Sequence, residues 1–419
     1  MIELLAPGGN EAKMRTAFEY GADAVYIGGD AFGLRACADN FTLQQIADAV
    51  DYANRIHKKI YVTMNIIARN SDLKEMAKYA RELSQANVHG VIVSDPGAFL
   101  TVKEAAPELC LHVSTQANNL NWRTCEFWQK LGAVRVNLAR ELTLSEIAQI
   151  SENLRERNCP IELEAFVHGA MCMSYSGRCM LSDYFVGRSS NRGDCAQPCR
   201  WNYKIVEGSR PDDILEAEEN ERGTFLFNSK DLCMVAYLQE LKEAGVSSFK
   251  IEGRMKSEFY VAVTVRAYRR AIDAMERGEA ARPGMPFTEA LLEEVCSISH
   301  RDYCTGFYLG ERGSQIYETA SYRRDTDFIG TVDSCEVQNT AAYRLTMTQR
   351  GTFSVGDTLE FVAPDGPVQK YTVTEMYNAS GEKIDRAPHA TMKVLLEIPF
   401  YVKSGCVIRR RKITDHQKG

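Results

Sequence analysis

From the N-terminus, short β-rich runs alternate with amphipathic helical stretches at a near-constant pace. The runs are ELLAPGG (3 to 9), DAVYIGG (23 to 29), KIYVTMN (59 to 65), GVIVSD (90 to 95), CLHVST (110 to 115), VRVNLA (134 to 139), IELEAFVHG (161 to 169) and SFKIEG (248 to 253). Between them, stretches such as TLQQIADAVDYANRIHK and SDLKEMAKYARELSQ set apolar residues at helical spacing behind a Thr or Ser suited to cap the helix. Repeated βα units predict a parallel sheet. Eight of them predict an α/β fold of the TIM type, a (β/α)8 barrel over residues 1–285.

The pacing fails once, between the seventh and eighth runs, where an insertion spans about residues 170–246. Its middle, EGSRPDDILEAEENERG, is acidic and poor in apolar residues, and reads as a solvated loop or hairpin tip between NYKIVEG and GTFLFN. After the eighth run KSEFYVAVTVRAYRRAIDAMERG is a long closing helix, and RPGMPFTEA marks a boundary. Residues 286–324 read as a linker region, and residues 325–419 alternate apolar and polar positions as a small antiparallel β-barrel domain does. The closing RRRK, Arg409 to Lys412, suits a phosphate backbone; a charge run at a chain end is more often a solvated tail.

The chain has 419 residues, enough for one large core and a smaller domain. Its 45% hydrophobic and 25% charged residues are those of a soluble globular protein, and no apolar run approaches the ~20 residues that span a bilayer. MIELLAPGGNEAKMRTAFEYG has neither the basic start nor the apolar stretch of a signal peptide, so a cytoplasmic location is expected. A net charge of −6 argues against coating nucleic acid with the whole surface but leaves room for a local basic groove.

In a reducing compartment the 13 cysteines point to burial, metal ligation or catalysis rather than disulfides. Most are scattered singly, as small buried hydrophobes are. The insertion holds the exception: Cys172, Cys179, Cys195, Cys199 and Cys233 lie among Gly, Ser, Asn and Asp. Structural zinc favours tight paired knuckles, which only Cys195 and Cys199 approach. Irregular spacing over a long insertion suits an iron-sulfur cluster better, with zinc and unrelated buried thiols as the alternatives. The radical S-adenosylmethionine pattern is rejected, because Arg200, Trp201 and Asn202 follow Cys199 where a third cysteine belongs. Neither HExxH, GxSxG nor a Ser-His-Asp order occurs, so hydrolysis by a recognised arrangement finds no support.

Chemistry in such barrels sits at the C-terminal strand ends. The polar residues there are Asn65, Asp95, Gln116, Asn137, Arg140, Glu164, His168, Lys250, Glu252, Arg254 and Lys256. Each alone is as readily a cap or a loop hydrogen bond. Together they suit a small-molecule pocket, with Glu164, His168, Lys250 and Glu252 as catalytic candidates and Arg140, Arg254, Lys256, Asn65, Gln116 and Asn137 as substrate-binding ones.

The run EAFVHGAMCMSYSGRCMLS (164 to 182) resembles the signature of the U32 peptidase family, and NRGDCAQPCRW, KIEGRMKS and the opening LLAPGGN resemble it too. The resemblance covers essentially the whole chain. It implies a relative of proteins once called collagenase-like peptidases, some of which hydroxylate RNA or ubiquinone precursors and carry a 4Fe-4S cluster on four cysteines. Carried onto this sequence, the ligands are Cys172, Cys179, Cys195 and Cys233, with Cys199 the alternative to Cys195. The tRNA-modifying branch implies 5-hydroxyuridine at the wobble position, prephenate as a required metabolite, and a second family subunit as a candidate partner. Arg140, Lys250, Arg254 and Lys256 would then receive the prephenate carboxylates. A splayed anticodon-loop base would stack on Tyr184, Phe185 or Trp201. The competing readings are a peptidase, as the family's name says, and a non-catalytic RNA-binding scaffold.

Overall fold

A computed structural model describes residues 2–34, 40–172, 174–201, 206–207, 210–214, 230–310, 323–339 and 342–412. All eight expected strands form. Seven run in parallel succession as β1 (Glu3–Gly8), β2 (Ala24–Gly28), β3 (Lys59–Met64), β4 (Gly90–Val93), β5 (Leu111–Val113), β6 (Ala133–Asn137) and β7 (Glu162–Ala170). The eighth, Ser248–Ile251, pairs in parallel with both β1 and β7, with Ser248 opposite Glu3 on one side and Glu164 on the other, so the sheet closes. Alternation explains the layering, since successive side chains point inward and outward. Leu4, Val25, Ile60, Val62 and Val91 join the outer core under the helices, while Leu5, Tyr26, Tyr61 and Ile92 form a separate cluster.

The helices begin where short polar side chains receive the first free N–H groups. Thr42 and Thr143 each make a capping box, and Asp95 accepts from Ala98 N–H at 2.9 Å. Asp95 is therefore a cap rather than a pocket residue. Ser71 is not the cap expected of it: the helix starts at Asn70, and Arg69 takes the cap position, its N–H donating to Asp72 at 2.7 Å.

Beyond the barrel rim, β7 continues and pairs antiparallel with Asp231–Cys233, placing Cys233 opposite His168. In the insertion Val206–Glu207 pairs with Arg210–Ile214; the GTFLFN arm of the expected hairpin, within residues 215–229, lies outside the described residues. A helix, Pro286–Cys296, occupies the start of the stretch expected as a linker.

The C-terminal domain is a curled antiparallel sheet of eight strands, from Gln369–Thr372 at one edge to Lys383–Ile384 at the other. Among the described residues the two edges do not pair, so the small antiparallel barrel expected takes the form of a half-barrel. The basic terminal run is no solvated tail. Residues Val407–Arg411 form a central strand between Thr326–Asn339 and Thr358–Val362, whose acidic side chains meet the arginines. Arg409 bonds Glu360 at 2.7 Å, Arg410 bonds Asp357 at 2.6 Å, and Arg411 bonds Glu293 at 2.8 Å. These three guanidiniums are already neutralised, which weakens the phosphate-facing reading. The domain packs on the barrel's helices: Tyr20 donates to the Val362 carbonyl at 2.7 Å, and Val407 N–H donates back to Tyr20 at 2.9 Å.

Candidate active site at the barrel mouth

The barrel interior is charged where branched apolar side chains usually fill such barrels. Glu164 on β7 is 2% exposed. Its Oε1 accepts from Lys250 Nζ and Asn137 Nδ2, each at 2.8 Å, and its Oε2 accepts from the Ser248 hydroxyl at 3.3 Å. Arg135 lies 3.5 Å from that same Oε2 and also pairs with Glu3 and Glu162. Burial pushes the Glu164 carboxyl up, but the Lys250 ammonium and the Arg135 guanidinium outweigh it and hold the group below the ordinary carboxylate range. Glu164 is therefore an anion at neutral pH, and buried charges survive because each has a partner.

Nearer the rim, Arg140 lies over the Phe166 ring at 3.9 Å, donates to the Ala170 carbonyl at 3.1 Å and sits 3.7 Å from the Glu252 carboxylate. Arg254 donates to Thr63 at 3.2 Å and to the Leu34 carbonyl. Asn65 accepts from Leu34 N–H, and Gln116 stands 3.5 Å from the Ser94 hydroxyl. The expected mouth residues Asn65, Gln116, Asn137, Arg140, Glu164, Lys250, Glu252 and Arg254 thus belong to connected strand ends.

Two do not. Val167 is bulged, since Phe166 pairs with Lys250 and His168 with the very next residue, Ile251. The bulge reverses the alternation. His168 consequently points outward and packs against Tyr260, Tyr268 and Tyr303. Burial, aided by repulsion from His300 and Lys256, lowers its pKa to about 3, so it is a neutral core histidine. Lys256 lies 5.3 Å from the centroid of the Tyr260 ring, on that same outer side. Of the four cations expected around prephenate, Lys250 is paired with Glu164, Lys256 lies by the Tyr260 ring, and Arg140 and Arg254 stand at the rim.

The insertion is fastened across the mouth. The Ser176 hydroxyl donates to Glu141 at 2.7 Å, Arg178 donates to the Gln116 carbonyl at 2.8 Å, and Arg192 pairs with Asp72 at 2.8 Å. Cys172 is exposed at the end of β7. The sulfurs of Cys179 and Cys195 each accept a backbone N–H at 3.4 Å, from Leu181 and Gln197. Such amide donors suit sulfur ligands of a cluster. Cys233 departs from the set: it is buried behind β7, its sulfur 3.8 Å from the Tyr268 hydroxyl, and burial pushes its thiol up to about 12. Among the described residues no three His, Cys, Asp or Glu side chains converge as a metal-binding group. Cys199 is half-buried and engaged. The aromatic candidates stand together: Tyr184 is 83% exposed and meets Phe185 edge-on at 5.3 Å, and Phe185 lies 6.2 Å from Trp201.

Sequence reasoning missed Glu3, Tyr61 and Arg135, which complete the interior network. The available signal was polar residues at the inward positions of otherwise apolar runs.

Profile comparison matches residues 9–318 to peptidase family U32 and residues 324–409 to the family's C-terminal domain. The chain belongs to peptidase family U32. Among U32 relatives it is 38% identical to tRNA hydroxylation protein P1 of Bacillus subtilis over 98% of this chain and 95% of that one. It is 36% identical to tRNA hydroxylation protein P of Escherichia coli over 95% and 94%. A 23S rRNA 5-hydroxycytidine synthase of Escherichia coli is 39% identical over 75% of this chain and 46% of its own. No helix among the described residues of this U32 protein is long and apolar enough to cross a membrane.

Proposed function

We propose that this protein is an RNA-modifying enzyme that hydroxylates tRNA, forming 5-hydroxyuridine at the wobble position. The observation that carries the reading is similarity running end to end, through barrel, insertion and C-terminal domain, to proteins named for tRNA hydroxylation. The site is compatible with it. Tyr184, Phe185 and Trp201 offer stacking faces beside the mouth, and a wobble base is already single-stranded. Glu164 and Lys250 supply a buried carboxylate and ammonium at fixed positions. Arg140, whose Nε is buried without a hydrogen-bond partner, is the proposed partner for a carboxylate of prephenate.

The reading includes a 4Fe-4S cluster on Cys172, Cys179, Cys195 and Cys233, which when bound supplies redox chemistry. Cys233, buried beside the Tyr268 hydroxyl, does not fit that role as it stands. The residues in hand bind and orient: Arg140 an anion, the aromatic platform a base, and the Glu164–Lys250 pair the polar edge of whatever enters the mouth.

Mass spectrometry of tRNA nucleosides from a strain lacking the gene tests the proposal. The 5-hydroxyuridine family of nucleosides is expected to disappear, to return with the wild-type gene, and to stay absent with Cys172→Ser. Iron and sulfide content of protein prepared without oxygen tests the cluster separately. Unchanged nucleosides together with gelatin cleavage that a single substitution abolishes would establish the peptidase reading instead.

A further inference from the structure

Asn137 ends β6 on the inner side of the barrel and is 2% exposed. Its amide cannot turn over. Nδ2 donates to Glu164 Oε1 at 2.8 Å, and an ionised carboxylate only accepts. The amide oxygen is thereby a fixed acceptor, and within the structure nothing donates to it. The backbone holds the residue as firmly: its carbonyl accepts from Asn119 Nδ2 at 2.8 Å, and the next N–H, of Leu138, donates to the Glu164 carbonyl at 2.8 Å. A buried acceptor left unpaired is unfavourable, so the site favours a ligand that brings it an N–H.

Donors lie around the same locus. Lys250 Nζ shares Glu164 Oε1 with Asn137 and stands 4.8 Å from the Tyr26 ring centroid and 5.4 Å from that of Phe166. Arg140, three residues beyond Asn137, carries the buried Nε–H that has no partner. One fixed acceptor among cationic donors and aromatic rings is the complement of a planar ring bearing an N–H between carbonyl groups.

We infer that Asn137 Oδ1 accepts the N3–H of a uracil ring, and so selects uridine over cytidine in the RNA that reaches the barrel mouth. Uracil offers N3–H to the amide oxygen and flanking carbonyls to the donors. Cytosine offers a lone pair at N3, which would oppose the oxygen, and an amino group where a carbonyl is wanted. The inference rests on the proposed RNA substrate and adds the residue that reads the base.

The test measures binding of three anticodon stem-loop RNAs to the full-length protein. They are identical except for uridine, cytidine or 3-methyluridine at the wobble position. Wild type is expected to bind the uridine RNA roughly ten- to hundredfold more tightly than the other two, the range for one buried polar group left unpaired. Asn137→Ala is expected to narrow the differences to less than about threefold. Equal binding of the uridine and 3-methyluridine RNAs by wild type overturns the inference, as does absence of binding to all three or a preference that Asn137→Ala leaves intact. The methylated RNA keeps the test decisive should the variant fail to fold. Unchanged tRNA nucleosides in the gene-deletion strain, beside a persistent Asn137-dependent uridine preference, would sink the proposed reaction and leave the base-reading site standing.

Discussion

In the barrel interior Glu3, Arg135, Glu164 and Lys250 satisfy one another within hydrogen-bond distance, whereas on the insertion Met180, Tyr184 and Phe185 face solvent. The difference is one of what each region can tolerate. A buried charge without a partner is strongly unfavourable, so the interior groups are locked into one arrangement. The described stretch 174–201 of the insertion carries short helical turns and few buried apolar side chains, and a cluster of exposed aromatic side chains is a surface awaiting something to cover it. Rigid polar geometry lies at the bottom of the mouth, and adaptable contact surface at its lip.

Removing the carboxylate from the interior is expected to have the largest effect. Glu164→Leu leaves Lys250 and Arg135 buried without it and should lower unfolding free energy by about 3–5 kcal/mol, read from a urea denaturation midpoint. A loss below about 1 kcal/mol would show that the network is not held as tightly as its distances say.

Acid should reveal the second difference. His168 titrates at about 3 in the folded state and near 6.5 when unfolded, so between those values the unfolded chain binds the extra proton. Stability is therefore complete above 6.5 and falls as pH drops toward 3, by up to about 1.4 kcal/mol per pH unit from this group. His168→Phe should flatten that slope, whatever its effect on stability at neutral pH. Glu164 acts separately and lower down: its contribution is present above its ordinary value of 4.5 and disappears as pH falls through the depressed folded value.

On the insertion the pattern should invert, with binding changing and stability not. Tyr184→Ala is expected to weaken anticodon stem-loop binding about tenfold, the scale of one lost base stack, while leaving the melting temperature alone. A small stability change is likewise expected for Cys172→Ser in protein freed of iron, within about 0.5 kcal/mol, because the side chain is exposed. A large destabilisation there would erase the contrast between the two regions.

The eight strands were legible because inward and outward positions alternate and each unit repeats its punctuation. Glu164, Lys250 and Asn137 were legible as polar residues closing such strands. Three features were not. The bulge at Val167 moves His168 to the outer side, and nothing in the run AFVHG marks it. Glu3 and Arg135 lie below the mouth residues, yet Arg135, held by Glu3, helps Lys250 keep Glu164 ionised. The run RRR looked like a tail because its partners Glu360, Asp327 and Glu293 are distant in sequence.

The seam between the domains has a consequence for the whole molecule. Val362 and Val407 of the half-barrel belong to the same apolar cluster as Val25 and Ile27, and Arg266 on the closing helix reaches the Ala363 carbonyl at 2.7 Å. The half-barrel keeps a cluster of its own around Leu345, Phe361 and Ile408, but its inner flank is part of the barrel's. Heating should therefore produce one endotherm rather than two, and a fragment ending near residue 324 would expose the flank of its own closing helix and associate with itself.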